Sequence, residues 1–346
     1  MAQTGRRPFG RTPSGEPVEL LTLDNGILSC GIITYGAVLQ SLLVPDKNGL
    51  PVDVVLGCDS LDGYISHNDY MGAIVGRYAN RIAQGKFTLH DQAYTLAVNN
   101  GANHSHGGVV GFSHRIWTVE DLAETQAVLA LDSPDGEEGY PGHLQVKVFY
   151  TLEGKSLSIR YEAESDRDTP CNLTSHPYFN LGGHDSGSVL EQIVSIKAQY
   201  YTPADETGVP LGRLEPVQDT PMDLRTPILI GTHIDDPFTQ LKQSGGYDHN
   251  YVLDGECGVL RPAASAASLQ TGISMTIETT YPGMQLYTAN FLEGNRPGKN
   301  GVTYGPRQAF CLEAEYFPDS PNHEAFPSAI LKAGERYEHI TRLVFG

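Results

Sequence analysis

Apolar and polar residues alternate with a period of two along much of the chain, and that period places successive side chains on opposite faces of a β-strand. In LQVKVFYTL (144–152), Val146, Val148, Tyr150 and Leu152 share one face, while Gln145, Lys147 and Thr151 fall mainly on the other. Glu153, Gly154 and Lys155 supply turn chemistry, and Leu157, Ile159 and Tyr161 then resume the alternation, which predicts a β-hairpin. KFTLHDQAYTLAVN (86–99) and GISMTIETTYPGMQLYTANF (272–291) predict two more of the same design. The uncharged stretch GILSCGIITYGAVLQSLLV (26–44) holds Ser29, Thr34, Gln40 and Ser41 and is broken by Gly26, Gly31 and Gly36. It therefore predicts two buried strands joined at Tyr35-Gly36 rather than the roughly 20 predominantly apolar residues of a membrane span. RPAASAAS (261–268) is expected as a loop, and DSLDGYIS (59–66) as at best a short turn of helix. Sustained helical periodicity is almost absent. With 38 Gly and 22 Pro available for tight connections, the pattern predicts an all-β chain, one large antiparallel β-sandwich domain over residues 1–346. Two smaller β-domains are the alternative.

Composition narrows the partners. At 346 residues with 40% hydrophobic content, the chain has ample material for a core. A formal net charge of -18 and a pI near 5.0 argue against nucleic acid and anionic membranes, whose phosphates would be repelled. A neutral or cationic small ligand is compatible with that field. Cys30, Cys58, Cys171, Cys257 and Cys311 are odd in number and form no CxxC, so reduced thiols in the cytoplasm are expected. Arg6-Arg7 is followed by Pro8, Gly10, Arg11, Pro13 and Glu16 instead of an apolar segment, so no export signal is expected.

Five stretches offer chemistry. In TSHPYFNL (174–181), His176 is fixed before Pro177 and beside Tyr178 and Phe179, either as a core histidine in a capped turn or as a positioned acid or base. In GRYANRIAQGKF (76–87), Asn80 and Arg81 sit between apolar runs; the guanidinium suits hydroxyl or carboxylate ligands, or loop carbonyls. In NHSHGG (103–108), His104 and His106 would share a face of an extended backbone, half of a metal site at most, since no third ligand stands at a characteristic spacing. Asp248 in GGYDHNYVL (245–253) lies at a loop–strand junction, where a carboxylate accepts two hydroxyl protons or closes an Asx-turn. In AFCLEAEYFPDSPNH (309–323), Glu313 and Glu315 fall within an apolar strand pattern, on the same side. They are a wet edge, or buried carboxyls whose raised pKa suits a general base. No stretch reads as a phosphate cradle or a nucleophile elbow. The residue types fit proton transfer on a neutral polyol.

From about residue 8 onward, GRYANRIAQGKF, NHSHGG, SPDGEEGYPG, TSHPYFNL, GGYDHNYVL, YTANF and CLEAEYFPDSPNH follow one another in an order that resembles the aldose 1-epimerase (galactose mutarotase) family. The resemblance implies a galactose mutarotase-like supersandwich that interconverts the α and β anomers of a small-molecule aldose, without metal or organic cofactor. It implies His176 as general acid near its ordinary pKa and Glu313 as general base. Asn80, Arg81, His106, Tyr178, Asp248 and Gln285, the last just before the YTANF strand, would contact the sugar. Ser175 stands where the family often has asparagine, and Glu315 where glutamine is frequent. The turn that follows would place Glu315 nearer solvent than Glu313. Two other classes remain: a glycosidase using Asp248 with Glu313 as its two carboxylates, and a carbohydrate-binding sandwich that uses the aromatics alone.

Overall fold

The computed structural model describes residues 5–66, 69–294 and 297–346. Three antiparallel sheets dominate it. The first is a five-stranded meander running Gly5–Arg11, Pro17–Asp24, Ser29–Ile33, Val38–Pro45 and Pro51–Asp53. The second has nine strands in the spatial order Thr118–Leu122, Gln126–Ser133, Leu144–Glu153, Ser156–Ser165, Arg336–Phe345, Ser274–Thr279, Arg261–Ala267, Ile193–Ile196 and Ile228–Leu229. The third, which carries the site, is ordered Glu215–Pro216, Ala198–Tyr201, Asp248–Leu253, Gly283–Tyr287 and Cys311–Glu315. Leu21 and Ile32 of the first sheet, Leu129, Val148 and Ile277 of the second, and Tyr251, Met284, Leu286 and Leu312 of the third join one contiguous apolar core. Each such side chain contributes roughly 1.5–3 kcal/mol when fully buried. The architecture is the expected large β-sandwich with little helix. The helices Leu61–Ser66 and Thr239–Ser244 are one to two turns long. Among the described residues no helix is long and apolar enough to cross a membrane.

Local sequence explains the strands that were legible. Glu153 pairs with Ser156 across a two-residue turn at Gly154-Lys155, where Gly154 takes a left-handed φ of 53°. Leu89 pairs with Gln92, and His90 and Asp91 both adopt positive φ, as a type I′ turn requires. Between Ser29–Ile33 and Val38–Pro45, Gly36 has φ 65°, and a Cβ there would fall 2.4 Å from the Ser113 carbonyl oxygen. A tight turn under another loop leaves room only for glycine.

Three expectations fail for identifiable reasons. Residues 272–291 are no hairpin: Ser274–Thr279 joins the nine-stranded sheet, Gly283–Tyr287 joins the site sheet, and the chain crosses between layers at Thr280–Pro282. Alternation records which face is buried but not which strand lies alongside. The crossing is held by buried Tyr281, whose hydroxyl donates to the Leu173 carbonyl at 2.5 Å. RPAASAAS is mostly strand, Arg261–Ala267, with a bulge between Pro262 and Ala264. Neighbours on both sides impose the strand on residues of weak intrinsic preference. The strand after Gln285 ends at Tyr287, and the rest of YTANF turns away through Ala289 at φ 50°.

Candidate active site

Register places the polar groups. Across the site sheet Asp248 pairs with Tyr287 and Tyr287 with Cys311; one row on, Asn250 pairs with Gln285 and Gln285 with Glu313; in the third row Gly283 pairs with Glu315. Because alternate residues share a face, Asp248, Gln285, Cys311, Glu313 and Glu315 all project from one side. Met284, Leu286, Leu312 and Ala314 project into the core from the other. Cys311–Glu315 is the edge strand of this sheet, yet both glutamates are buried, which removes the wet-edge alternative. Segment 172–179 covers the edge: the Thr174 hydroxyl donates to the Ala314 carbonyl at 2.9 Å, the Tyr316 N–H donates to Asn172 Oδ1 at 2.8 Å, and Phe179 and Phe310 exchange backbone hydrogen bonds.

That covering segment delivers His176. Its N–H donates to the Ala73 carbonyl at 2.9 Å and its own carbonyl accepts from Gly72 N–H at 2.8 Å. Tyr178 stacks on the imidazole, with ring centroids 5.1 Å apart and an 18° interplanar angle. His176 Nε2 then lies 3.4 Å from Glu313 Oε2, an oxygen with no hydrogen-bond partner. Among the described residues, His176, Cys311 and Glu313 also bring one ligand atom each within 4.8 Å of one another.

His106 comes from the opposite wall. The two-residue strand His104–Ser105 pairs with Arg81–Ile82, and the chain turns at His106 with φ 49°. A Cβ at Gly107 would sit 1.7 Å from the Gly76 carbonyl oxygen, so the turn depends on that glycine. His106 Nδ1 accepts the Asn80 N–H at 3.3 Å, which leaves the proton of a neutral ring on Nε2. His104 and His106 do not share a face as expected. The turn sends the His104 ring away to the Ala97 carbonyl at 2.7 Å and the Tyr140 hydroxyl at 2.6 Å, so both its nitrogens are taken. The half-site for a metal therefore does not form there.

All eight residues singled out from the sequence, Asn80, Arg81, His106, His176, Tyr178, Asp248, Gln285 and Glu313, line one open cleft. Asp69, Tyr70, Asn99, Asn100, Ser105, Tyr287 and Phe291 line it too and were missed. Tyr287 and Phe291 lay inside a quoted motif, whereas nothing in the pattern distinguished Tyr70, whose ring sits 4.6 Å from that of His106. Gln285 Nε2 donates to Asp248 Oδ1 at 2.6 Å, and Arg81 reaches within 3.8 Å of Asp248 Oδ2. Gln285 Oε1 has no partner.

Burial governs protonation. It raises the Glu313 carboxyl well above its ordinary range, the charges of Glu315 and Asp248 add to the rise, and Arg81 opposes it. Glu315 rises for the same reason, against the Asn80 amide that donates to its Oε1 at 2.9 Å. The expectation that Glu315 lies nearer solvent fails: it is 0% exposed against 2% for Glu313, because the turn beyond Tyr316 folds back and is tied down through the Tyr78 hydroxyl. Burial pushes His176 down to about 4, and pushes His106 well below its ordinary value with help from His176 and Arg81. Neither histidine keeps the unperturbed pKa expected of an acid. At neutral pH both rings are neutral, and burial favours the protonated form of the Glu313 carboxyl.

A sequence model of the aldose 1-epimerase family matches residues 19–344. The galactose mutarotase of Mus musculus is 43% identical over 351 residues, covering 100% of this chain and 99% of the mouse protein. The aldose 1-epimerase of Escherichia coli (strain K12) is 36% identical over 339 residues and 96% of each chain. Among solved structures, the galactose 1-epimerase from Lactobacillus acidophilus NCFM superposes with a TM-score of 0.87 at 27% identity, over 99% of this chain and 98% of its own. The chain belongs to the aldose 1-epimerase family.

Proposed function

We propose that the chain, as one domain spanning residues 1–346, opens and recloses the ring of free aldohexoses such as galactose and glucose, interconverting their α and β anomers in galactose and hexose metabolism. The observation that carries this reading is the buried, unpartnered Glu313 Oε2 facing His176 Nε2 across 3.4 Å in a polar cleft. Glu313, as carboxylate, removes the proton of the C1 hydroxyl. The bond between C1 and the ring oxygen breaks, and the ring oxygen takes a proton from the His176 imidazolium. The C1–C2 bond of the open aldehyde rotates, the former ring oxygen attacks the other face of C1, and both protons return. Each positioned acid or base contributes typically ~10²–10⁴-fold.

One proton resides on the pair throughout. Burial favours the proton on Glu313, which is the arrangement of the open-chain stage, after ring opening. Arg81 draws the Glu313 carboxyl down and Asp248 draws His176 up, so both favour the charged arrangement that begins the reaction. His106 offers its Nε2–H to a sugar oxygen, Gln285 Oε1 accepts a hydroxyl, and Arg81, Asn80 and Asp248 complete the hydroxyl contacts. Tyr178 holds the plane of His176. A glycosidase is less well supported, because Asp248 is already engaged by Gln285 and Arg81. A binding sandwich has no use for a buried proton-transfer pair. Five free cysteines, four of them buried, support a reducing cytoplasmic setting. The test is the optical rotation of freshly dissolved α-galactose: the protein should shorten its relaxation to equilibrium, and a relaxation identical to that in buffer overturns the proposal.

A further inference from the structure

His176 Nε2 and Glu313 Oε2 stand at a separation that is long for a hydrogen bond. It equals, however, the spacing of a nitrogen and an oxygen bound to one tetrahedral zinc, about 3.4 Å from bond lengths of roughly 2.0–2.2 Å. The Cys311 sulfur completes a set of three whose ligand atoms lie within 4.8 Å of one another. Register explains the set: Cys311 and Glu313 are two apart on one strand and share its polar face. All three residues are buried, and the Glu313 oxygen aimed at this point has no partner.

We propose that His176, Cys311 and Glu313 form an inhibitory site for zinc(II), which takes the proton-transfer pair out of action. Thiolate, imidazole and carboxylate together select zinc over magnesium or calcium. One thiolate and one carboxylate neutralise the ion, so no net charge is left in a dry site. Binding displaces the thiol proton and, where the Glu313 carboxyl is protonated, its proton, both released to buffer. The sulfur must close by about 1 Å to reach tetrahedral spacing, and the fourth position opens on the cleft that His176 and Glu313 line. The inhibition rests on the mutarotase reading, whereas the binding does not.

The experiment uses tag-free full-length protein. Cobalt(II) is titrated as a spectroscopic stand-in, zinc affinity is read by competition with a chromophoric chelator, and anomerisation is followed by polarimetry. The wild type should show a thiolate-to-cobalt charge-transfer band, and zinc should abolish turnover until a chelator restores it. Cys311→Ala should lose the band, weaken zinc binding by at least ~10-fold and keep its metal-free rate within about twofold. Cys311→Ser repeats the measurement if the alanine variant melts early. Absence of the band in the wild type, equal zinc affinity in wild type and both variants, or full turnover with zinc bound each overturns the proposal. A metal-free wild type that binds cobalt through Cys311 yet never accelerates anomerisation would sink the mutarotase reading and leave the metal site standing.

Discussion

Glu313 and Glu315 are two residues apart, equally buried, and differ in what they face. Each has an unpartnered Oε2, but Glu313 lines the cleft, while Glu315 lies outside its lining with Oε1 held by the Asn80 amide. Glu313→Gln, which keeps the shape but not the proton acceptor, should lower the polarimetric rate by at least ~10²-fold. Glu315→Gln still accepts the Asn80 hydrogen bond and should stay within a few-fold of wild type. The reverse outcome would reassign the base. His176→Asn should likewise abolish turnover with little change in thermal midpoint. The same two groups set the pH profile. Below about 4, His176 takes up a second proton and the pair has no base; above the raised Glu313 value the pair has no proton to give. An acid limb near pH 4 is expected, with a second fall only above the raised Glu313 value. An acid limb close to pH 6.5 would mean that the imidazole is not desolvated as the geometry requires.

Alternation revealed strands whose partner is the next strand in sequence, so the hairpin of Leu144–Glu153 and Ser156–Ser165 was legible, although its turn is the two residues Gly154-Lys155 and not 153–155. It was silent wherever the partner is distant. Ser274–Thr279 and Gly283–Tyr287 share one pattern and lie in different sheets, and Arg261–Ala267 is a strand only because of its neighbours. For the site, period two put Glu313 and Glu315 on one side but carried no information on depth, which is set by the turn beyond Tyr316. His104 and His106 also defied the period, since the left-handed residue at 106 breaks the extended backbone between wall and cleft. That turn can be tested as an element. Gly107→Ala forces a methyl to 1.7 Å from the Gly76 carbonyl, so His106 must shift. Activity should fall by at least ~10-fold and stability by roughly 1–3 kcal/mol, measured by polarimetry and denaturant unfolding. Unchanged values on both would remove the turn from the argument.

Buried carboxyls also mark the molecule's response to pH. Unfolded, Glu313 and Glu315 titrate near 4.3; folded, both hold their protons to higher pH. Between those values the folded state binds more protons, so their contribution is complete below the unfolded pKa and is lost as pH rises through the folded one. Glu315→Gln removes one such group while keeping an acceptor for the Asn80 amide, and its thermal midpoint relative to wild type should be about 2 °C or more higher at pH 8 than at pH 5. An offset independent of pH would mean that Glu315 is not titrating in the folded protein. The covered edge of the site sheet has a consequence at the same scale. Cys311–Glu315 is otherwise a strand with a row of unpaired backbone groups, the template on which chains stack into aggregates. Segment 172–179 caps that row and also carries His176. The proposed acid and colloidal behaviour are thereby joined in one peptide, and substitutions that unseat it should surface first as precipitated protein, before any assay can register them as slow enzymes.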